Sequence, residues 1–195
     1  MSPPNKQKHQ RHNNNSLRII AGQWRGRKLN FATAPGLRPT PDRVREMLFN
    51  WLQGRLLDAK VLDLFAGSGA LGFEALSRGV QHVTLVESNA IAVSQLQENI
   101  QLLKTGQAEL VHADAFQYLE GLTETFDLIF LDPPFRKDYL PKLIDSIREN
   151  NILAPHGLLY IEHEKNDTPE ISYQDFHLFK EKVTGEVVSK LLTKS

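Results

Sequence analysis

Short apolar runs alternate with amphipathic segments along the chain from residue 60 onwards. The apolar runs predict five strands, over residues 61–65, 82–87, 109–114, 126–132 and 157–163. Between these runs, the spacing of apolar residues predicts helices over residues 70–78, 89–104, 116–122 and 138–150. Strands joined by helices predict a parallel sheet covered on both faces, and therefore a doubly wound α/β fold.

The last part of the chain departs from this alternation. Residues 175–183 and 186–192 flank Thr184 and Gly185, a pair typical of a tight turn between antiparallel strands. The hairpin brings the predicted sheet to seven strands, which are mostly parallel and end in an antiparallel pair.

The N-terminal part of the chain has a different composition. Residues 1–16 are rich in Pro, Asn, Gln and Lys, so we expect a disordered basic tail. Residues 17–31 predict two short strands around a glycine-containing turn near Trp24. We therefore expect a small β-hairpin arm over residues 17–40, with the main domain over residues 41–195.

A helix is predicted to open the main domain. Thr40 is expected to cap it, Pro41 to be its first residue, and the helix to run to about Gln53. Its apolar stripe contains Val44, Met47, Leu48 and Trp51. This stripe leaves Arg38, Arg43 and Arg45 for the other faces.

Composition excludes several classes of protein. The chain has 195 residues and no cysteine, which excludes disulfides, a thiol nucleophile and cysteine-ligated metals and favours a reducing, cytoplasmic setting. No apolar stretch approaches the roughly 20 residues of a membrane span. The first sixteen residues lack the apolar segment of a signal peptide, so none is expected.

The net charge of zero conceals an uneven distribution of charge. Residues 1–60 hold 12 basic and 3 acidic side chains, whereas the remaining 135 hold 11 basic and 20 acidic ones. A basic end favours a nucleic-acid partner over a membrane, although a solvated surface without a partner stays an alternative. The candidate RNA-binding residues are Arg18, Trp24, Arg25, Arg27, Lys28, Arg38 and Arg43. Trp24 could stack on a nucleobase or equally pack in its own turn.

A glycine-rich turn follows the first predicted strand of the main domain. Gly67, Gly69 and Gly72 satisfy the G-x-G-x-x-G pattern, and Glu87 lies 20 residues beyond the first of them. This arrangement is typical of Rossmann-like nucleoside sites, where the backbone approaches the ligand and the acid binds the ribose hydroxyls. Phe65 and Ser88 flank these positions and complete the candidate set. A tight turn without a ligand is the alternative.

Charge indicates which nucleoside cofactor would bind. Asp63, just before the turn, would repel a dinucleotide's pyrophosphate and favour the sulfonium and ammonium groups of S-adenosyl-L-methionine. Asp114, followed by Ala115 and Phe116, ends the third strand and could accept a hydrogen bond from the adenine amine while the ring covers the base. Asp114 could instead serve as a helix N-cap.

The motif Asp132-Pro133-Pro134-Phe135 stands at the carboxyl end of the fourth strand, where open α/β sheets bind ligands. The Asp132 carboxylate and the Pro133 carbonyl can accept both hydrogens of a nucleobase amine and direct its lone pair at a methyl carbon. Phe135 can stack on the base. These residues are the catalytic candidates, and a plain Pro-Pro turn is the alternative.

Two other kinds of site are not expected. Glu162, His163 and Glu164 are adjacent on a strand and point alternately to opposite faces, so they predict no metal site. Ser68 and Ser77 have no His and Asp partners at the spacing of a hydrolase triad.

Together, DLFAGSG, Glu87, Asp114 and DPPF resemble a class I S-adenosylmethionine-dependent amino-methyltransferase. The segments RIIAGQWRGRKL, RPTPDRVREMLFNWL and GSGALGFEALSRG resemble more narrowly the RsmD family of 16S rRNA guanine-N2 methyltransferases. The resemblance covers about residues 17–192. It implies a methyltransferase sheet, a cofactor-dependent enzyme and a substrate in the small ribosomal subunit; we expect a monomer without membrane contact.

The resemblance also implies a role for each matching residue. Gly67 and Gly69 would lie against the methionine part of the cofactor, Asp63 would face its amino group, and Glu87 would hold the ribose. Asp114 and Phe116 would hold the adenine, and residues 132–135 the target guanine. Residues 38–45 would close over the site.

Other functions stay open from the residues alone. The same acceptor geometry would serve an adenine-N6 methyltransferase or one that modifies a protein amide. A non-catalytic RNA-binding assembly factor is the alternative from another class, and a nicotinamide-dependent oxidoreductase comes third because Asp63 opposes it.

Overall fold

The computed structural model describes residues 15–31, 40–135, 138–167, 169, 171–172 and 174–194. The predicted tail therefore lies almost wholly outside the described residues, and so does Arg38. Within the described part, no helix has the length and hydropathy needed to cross a membrane.

The chain forms nine strands and five helices within the described residues. The strands are β1 Asn15–Arg18, β2 Lys28–Phe31, β3 Lys60–Asp63, β4 His82–Glu87, β5 Ala108–His112, β6 Phe126–Leu131, β7 Leu153–Glu164, β8 Phe176–Thr184 and β9 Val187–Lys194. The helices are α1 Asp42–Trp51, α2 Ala70–Ser77, α3 Ala90–Leu103, α4 Ala115–Leu119 and α5 Tyr139–Glu149. The order of elements matches the predicted one, with boundaries displaced by a few residues.

Seven strands form one sheet in the order β5-β4-β3-β6-β7-β9-β8. Strands β3 to β7 are parallel, β9 lies antiparallel to β7, and β8 pairs with β9 at the edge. Each face of the sheet carries its own apolar core. Helices α1, α2 and α3 pack on one face and α4 and α5 on the other, which confirms the doubly wound α/β fold with its antiparallel hairpin.

Strand β7 begins earlier than the apolar pattern predicted, at Leu153 rather than at residue 157. Phe126 pairs with Leu153, but Leu128 already pairs with Leu158, so β7 bulges against β6. His156 takes a left-handed backbone conformation (φ 59°) within this irregular stretch.

The two N-terminal strands pair as the predicted hairpin, and their connecting loop is fixed to the end of α2. Ser77 donates its hydroxyl to the Ala21 carbonyl and accepts the Trp24 N–H at 3.0 Å. A Cβ at Gly22 would lie 1.7 Å from the Ser77 carbonyl oxygen, so only glycine fits there. Trp24 is partly buried against the core, in keeping with its packing alternative.

Arg45 corrects the expectation for α1, because its side chain is completely buried rather than directed to another face. It donates to the Asp42 carboxylate at 2.6 Å, to the Arg18 carbonyl at 2.9 Å and to Glu74 at 3.4 Å. The start of α1 also differs from prediction. The helix begins at Asp42, and Pro41 occupies the cap position without a side-chain cap bond.

The Glu74 carboxylate is the centre of this buried network. It accepts the backbone N–H groups of Ile20 and Ala21 at 2.8 and 3.1 Å, and the Arg78 side chain at 2.7 Å. One buried acid therefore joins the arm, α1 and α2. An acid in this position is satisfied only when all three elements are in place.

We expect Glu74→Ala to lower the free energy of unfolding by about 3–5 kcal/mol, because it removes the buried carboxylate that Arg45, Arg78 and two backbone N–H groups share. Glu98→Ala, on the exposed side of α3, is the matched control and should change stability by less than about 0.5 kcal/mol. Urea unfolding measures both. A loss below about 1 kcal/mol for the Glu74 variant would contradict the role of this network.

Candidate functional site

Four carboxyl groups lie at the carboxyl ends of the central parallel strands. Asp63 and Glu87 are the last residues of β3 and β4, Asp132 directly follows β6, and Glu162 is near the end of β7. Leu131 pairs with Ile161, so the residues that come next in the sequence, Asp132 and Glu162, are neighbours across the two strands. The sheet thus brings together at one edge acids that are up to 99 residues apart in the sequence.

The glycine-rich turn has the geometry that its sequence predicts. Gly67 and Gly69 have positive φ angles of 52° and 76°, and Gly69 is the N-cap residue of α2. A Cβ at Gly69 would lie 2.3 Å from the Phe73 ring. The Gly67 N–H donates to one oxygen of Glu87 at 2.8 Å, and the Asn89 N–H donates to the other at 2.7 Å. Glu87 therefore reaches the turn from the neighbouring strand.

Asp63 is buried beneath this turn. Its carboxylate accepts the Gly72 N–H at 3.2 Å, at the start of α2. Burial raises its pKa to about 7, the backbone bonds from Gly72 and Phe65 oppose this shift, and the nearby Glu87 adds to it. The site thus holds an acid that is poorly compensated by the protein and would be stabilised by a cation.

Asp114 caps α4. One of its carboxylate oxygens accepts the N–H groups of Phe116 and Gln117 at 2.9 and 3.3 Å. This is the N-cap alternative considered for Asp114, and the capping bonds leave the second oxygen for another donor. Ala115 is buried under the first turn of α4. Ser88 is exposed, and its carbonyl lies 3.1 Å from a ring nitrogen of His112.

Tyr139 is a member of this site that the sequence reasoning missed. Its ring lies between the rings of Phe65, stacked at 6.4 Å, and Phe116, edge-on at 5.3 Å. The three partly buried rings form a cluster beside the glycine turn. No periodicity or motif marks Tyr139, which begins α5 and is placed by the fold.

Three residues of the Asp132-Pro133-Pro134-Phe135 motif, Pro133, Pro134 and Phe135, line a cleft. Pro133 is buried, Asp132 is half-buried, and Phe135 is exposed at the surface. Burial raises the pKa of Asp132 well above its ordinary value, and the charges of Glu162 and Asp63 raise it further. The cleft is lined by Pro133, Pro134, Phe135, Asp138, Tyr139, Leu140, Pro141, Glu162, His163, Asp167 and Pro169.

Strand β7 also lines this cleft, through Glu162 and His163, which the sequence reasoning considered only as a metal site. The Tyr160 hydroxyl donates to Glu162 at 2.5 Å and lies 3.1 Å from the Ser189 hydroxyl. Burial raises the pKa of Glu162, and the hydrogen bond from Tyr160 opposes this shift. In the described ranges, no group of three or more metal-ligating side chains is present.

Among the described residues, the basic ones predicted to bind RNA do not line the cleft. Arg18, Arg25, Arg27 and Lys28 are exposed on the hairpin, and Arg43 is exposed on α1. The Arg27 side chain donates to the Leu102 carbonyl at 3.4 Å on α3. The structure therefore groups these residues on the α1–α3 side of the sheet, apart from the residues lining the cleft.

This chain is similar to known proteins in sequence and in structure. The family model described as "conserved hypothetical protein 95" matches residues 17–193. The ribosomal RNA small subunit methyltransferase D of Escherichia coli K12 is 46% identical, over 90% of this chain and 88% of its own. The protein of the same name from Haemophilus influenzae is 46% identical, over 90% and 92%. The solved structure of Escherichia coli yhhF has a TM-score of 0.84 and 44% identity, covering 93% of this chain and 99% of that one.

The raised pKa of Asp63 predicts how stability depends on pH. Because the folded protein holds this proton up to about pH 7, whereas an unfolded Asp releases it near 3.8, the contribution of Asp63 to stability falls as pH rises between those values. Asp63→Asn lacks this titration. The difference in the free energy of unfolding, variant minus wild type, should therefore increase by up to about 1.4 kcal/mol for each pH unit in that window. Urea unfolding at pH 4.5, 5.5 and 6.5 measures the difference, and a difference independent of pH would contradict the assignment.

Proposed function

Because this chain belongs to the RsmD family of ribosomal RNA small subunit methyltransferases, we propose that it methylates the exocyclic N2 amine of a guanine in 16S rRNA. The methyl donor would be S-adenosyl-L-methionine. The observation that carries the proposal is the meeting of the glycine turn, its carboxylates and the Asp132 motif at one edge of the sheet.

The residues around the turn fit a cationic nucleoside cofactor. Glu87 would accept the ribose hydroxyls, Asp114 the adenine amine, and Asp63 the amino group, while Phe65 and Phe116 offer apolar surface. When bound, the cofactor supplies a methyl group attached to a positively charged sulfur. A pyrophosphate would instead face the buried carboxyl of Asp63, so a dinucleotide fits poorly.

The catalytic residues act on the amine. The nitrogen of a nucleobase amine is a weak nucleophile because its lone pair is delocalised into the ring. The Asp132 carboxylate and the Pro133 carbonyl would accept its two hydrogens, which favours a pyramidal nitrogen and orients the lone pair towards the methyl carbon. Phe135, exposed beside them, would stack on the base.

The methylated nitrogen must then lose one proton, since it has gained a methyl group and kept both hydrogens. Asp132 is the acceptor nearest to that nitrogen in this arrangement. Its pKa is raised by burial and by the charges of Glu162 and Asp63, so its carboxylate is a stronger base than that of an ordinary aspartate.

The basic arm would bind the phosphate backbone of the substrate. Arg18, Arg25, Arg27, Lys28 and Arg43 present exposed positive charge on one side of the molecule. They would hold the rRNA, within the small subunit, while the target base turns out of its stack to reach Asp132. The enzyme would act in the cytoplasm as a monomer, with residues 17–40 as its RNA-binding arm.

The proposal is tested by incubating unmethylated small subunits and free 16S rRNA with isotope-labelled S-adenosyl-L-methionine. Nucleosides from the digested rRNA are then analysed by mass spectrometry. We expect label in N2-methylguanosine. Label in N6-methyladenosine, or no labelled nucleoside from either substrate, would contradict the proposal.

We expect Asp132→Ala to reduce turnover by about 100-fold or more, because it removes a positioned acceptor that acts on the reacting amine. Calorimetric affinity for S-adenosylhomocysteine should remain within about threefold of wild type, since the other cofactor residues are intact. Asp127→Ala, at the exposed start of the same strand, is the control and should keep wild-type turnover. Near-normal turnover of the Asp132 variant would remove that residue from the mechanism.

A further inference from the structure

His163 is a buried histidine in the wall of the cleft. Its side chain is 5% exposed, and it lines the cleft together with Pro133, Pro134 and Phe135. One ring nitrogen, Nδ1, lies 2.8 Å from the Glu164 carbonyl oxygen. The other, Nε2, is buried and has no hydrogen-bond partner among the described residues.

The contact at Nδ1 indicates which ring nitrogen carries the hydrogen. A carbonyl oxygen can only accept, so Nδ1 carries the hydrogen, and in a neutral imidazole Nε2 then presents a lone pair. A buried acceptor without a donor is unfavourable, because it has lost its hydrogen bonds to water. His163 lines the same cleft as Pro133, Pro134 and Phe135, so a donor on a substrate bound there would satisfy this acceptor.

The register of the sheet sets His163 beside the motif. Leu131 of β6 pairs with Ile161 of β7, and Pro133 and His163 follow these two residues by two positions each. A guanine whose N2 hydrogens are held by Asp132 and the Pro133 carbonyl has a further donor, N1–H, on the same edge of the base. The unfilled acceptor of His163 therefore matches the group adjacent to the reacting amine.

We propose that His163 Nε2 accepts the N1–H of the target guanine and thereby makes the enzyme selective for guanine. This inference rests on the proposed function. Adenine and 2-aminopurine carry a lone pair at N1, so either base would place two acceptors against each other. 2-Aminopurine is the sharper probe, because it keeps the N2 amine and lacks only N1–H and the O6 oxygen.

The test uses full-length enzyme and 16S rRNA ligated to carry either guanine or 2-aminopurine at the nucleotide that the wild type methylates. The rRNA is presented free or in the small subunit, whichever form the wild type accepts. The measured quantity is the ratio of kcat/KM for the two bases. We expect a ratio of about 10 or more for wild type, as for loss of one hydrogen bond to a buried acceptor.

His163→Phe removes the acceptor while keeping a flat ring, so its ratio should fall at least fivefold. His163→Gln serves if the Phe variant does not fold, because its amide can accept from guanine or donate to 2-aminopurine and should also level the ratio. His177→Phe, on the exposed strand β8, is the control and should keep the wild-type ratio.

The outcomes distinguish the role of His163 from the proposed function. A wild-type ratio near 1, or an unchanged ratio in the folded His163 variants, would overturn the role of His163 and indicate that Nε2 binds only water. If the wild type forms no N2-methylguanosine at all, the proposed function itself fails.

Discussion

Buried negative charge at one edge of an apolar sheet is the constraint on which this site depends. Asp63, Glu87 and Glu162 are almost fully buried, and Asp132 is half-buried beside them. The interior stabilises such charges poorly, which is why the pKa values of Asp63, Asp132 and Glu162 are raised. The edge therefore favours a ligand that brings positive charge and hydrogen-bond donors, as a sulfonium cofactor and a nucleobase amine do.

The sheet topology creates this concentration of acids. Strands β3, β4, β6 and β7 run parallel, so their carboxyl ends, with Asp63, Glu87, Asp132 and Glu162, meet at a single edge. Another buried acid, Glu74, has a different function, because its charge is matched by two arginines and two backbone donors. The contrast separates the two regions: the compensated acid fixes the arm to the fold, whereas the acids with raised pKa values, Asp63, Asp132 and Glu162, belong to the site.

Sequence reasoning predicted most of the fold, because strand runs, helix spacing and turn glycines are local signals. It also found the turn and the Asp132 motif, whose residues are contiguous in the chain. It missed Tyr139, Glu162 and His163 as site residues, and Arg45 as a buried one, because their surroundings come from elements distant in sequence. Apolar periodicity assigns an arginine to a helix surface, and only the packed fold reveals the carboxylate that Arg45 meets. For the same reason, the start of β7 was missed, because it depends on the pairing of Leu153 with Phe126 of β6.

The most direct test of the central idea is the number of protons released when S-adenosyl-L-methionine binds. Calorimetry at pH 6.5, in buffers with different ionisation enthalpies, measures this number. If a cation stabilises the charged form of the buried Asp63, whose pKa is about 7, the wild type releases a large fraction of one proton and Asp63→Asn releases much less. Binding without proton release, or equal release by both proteins, would contradict the account.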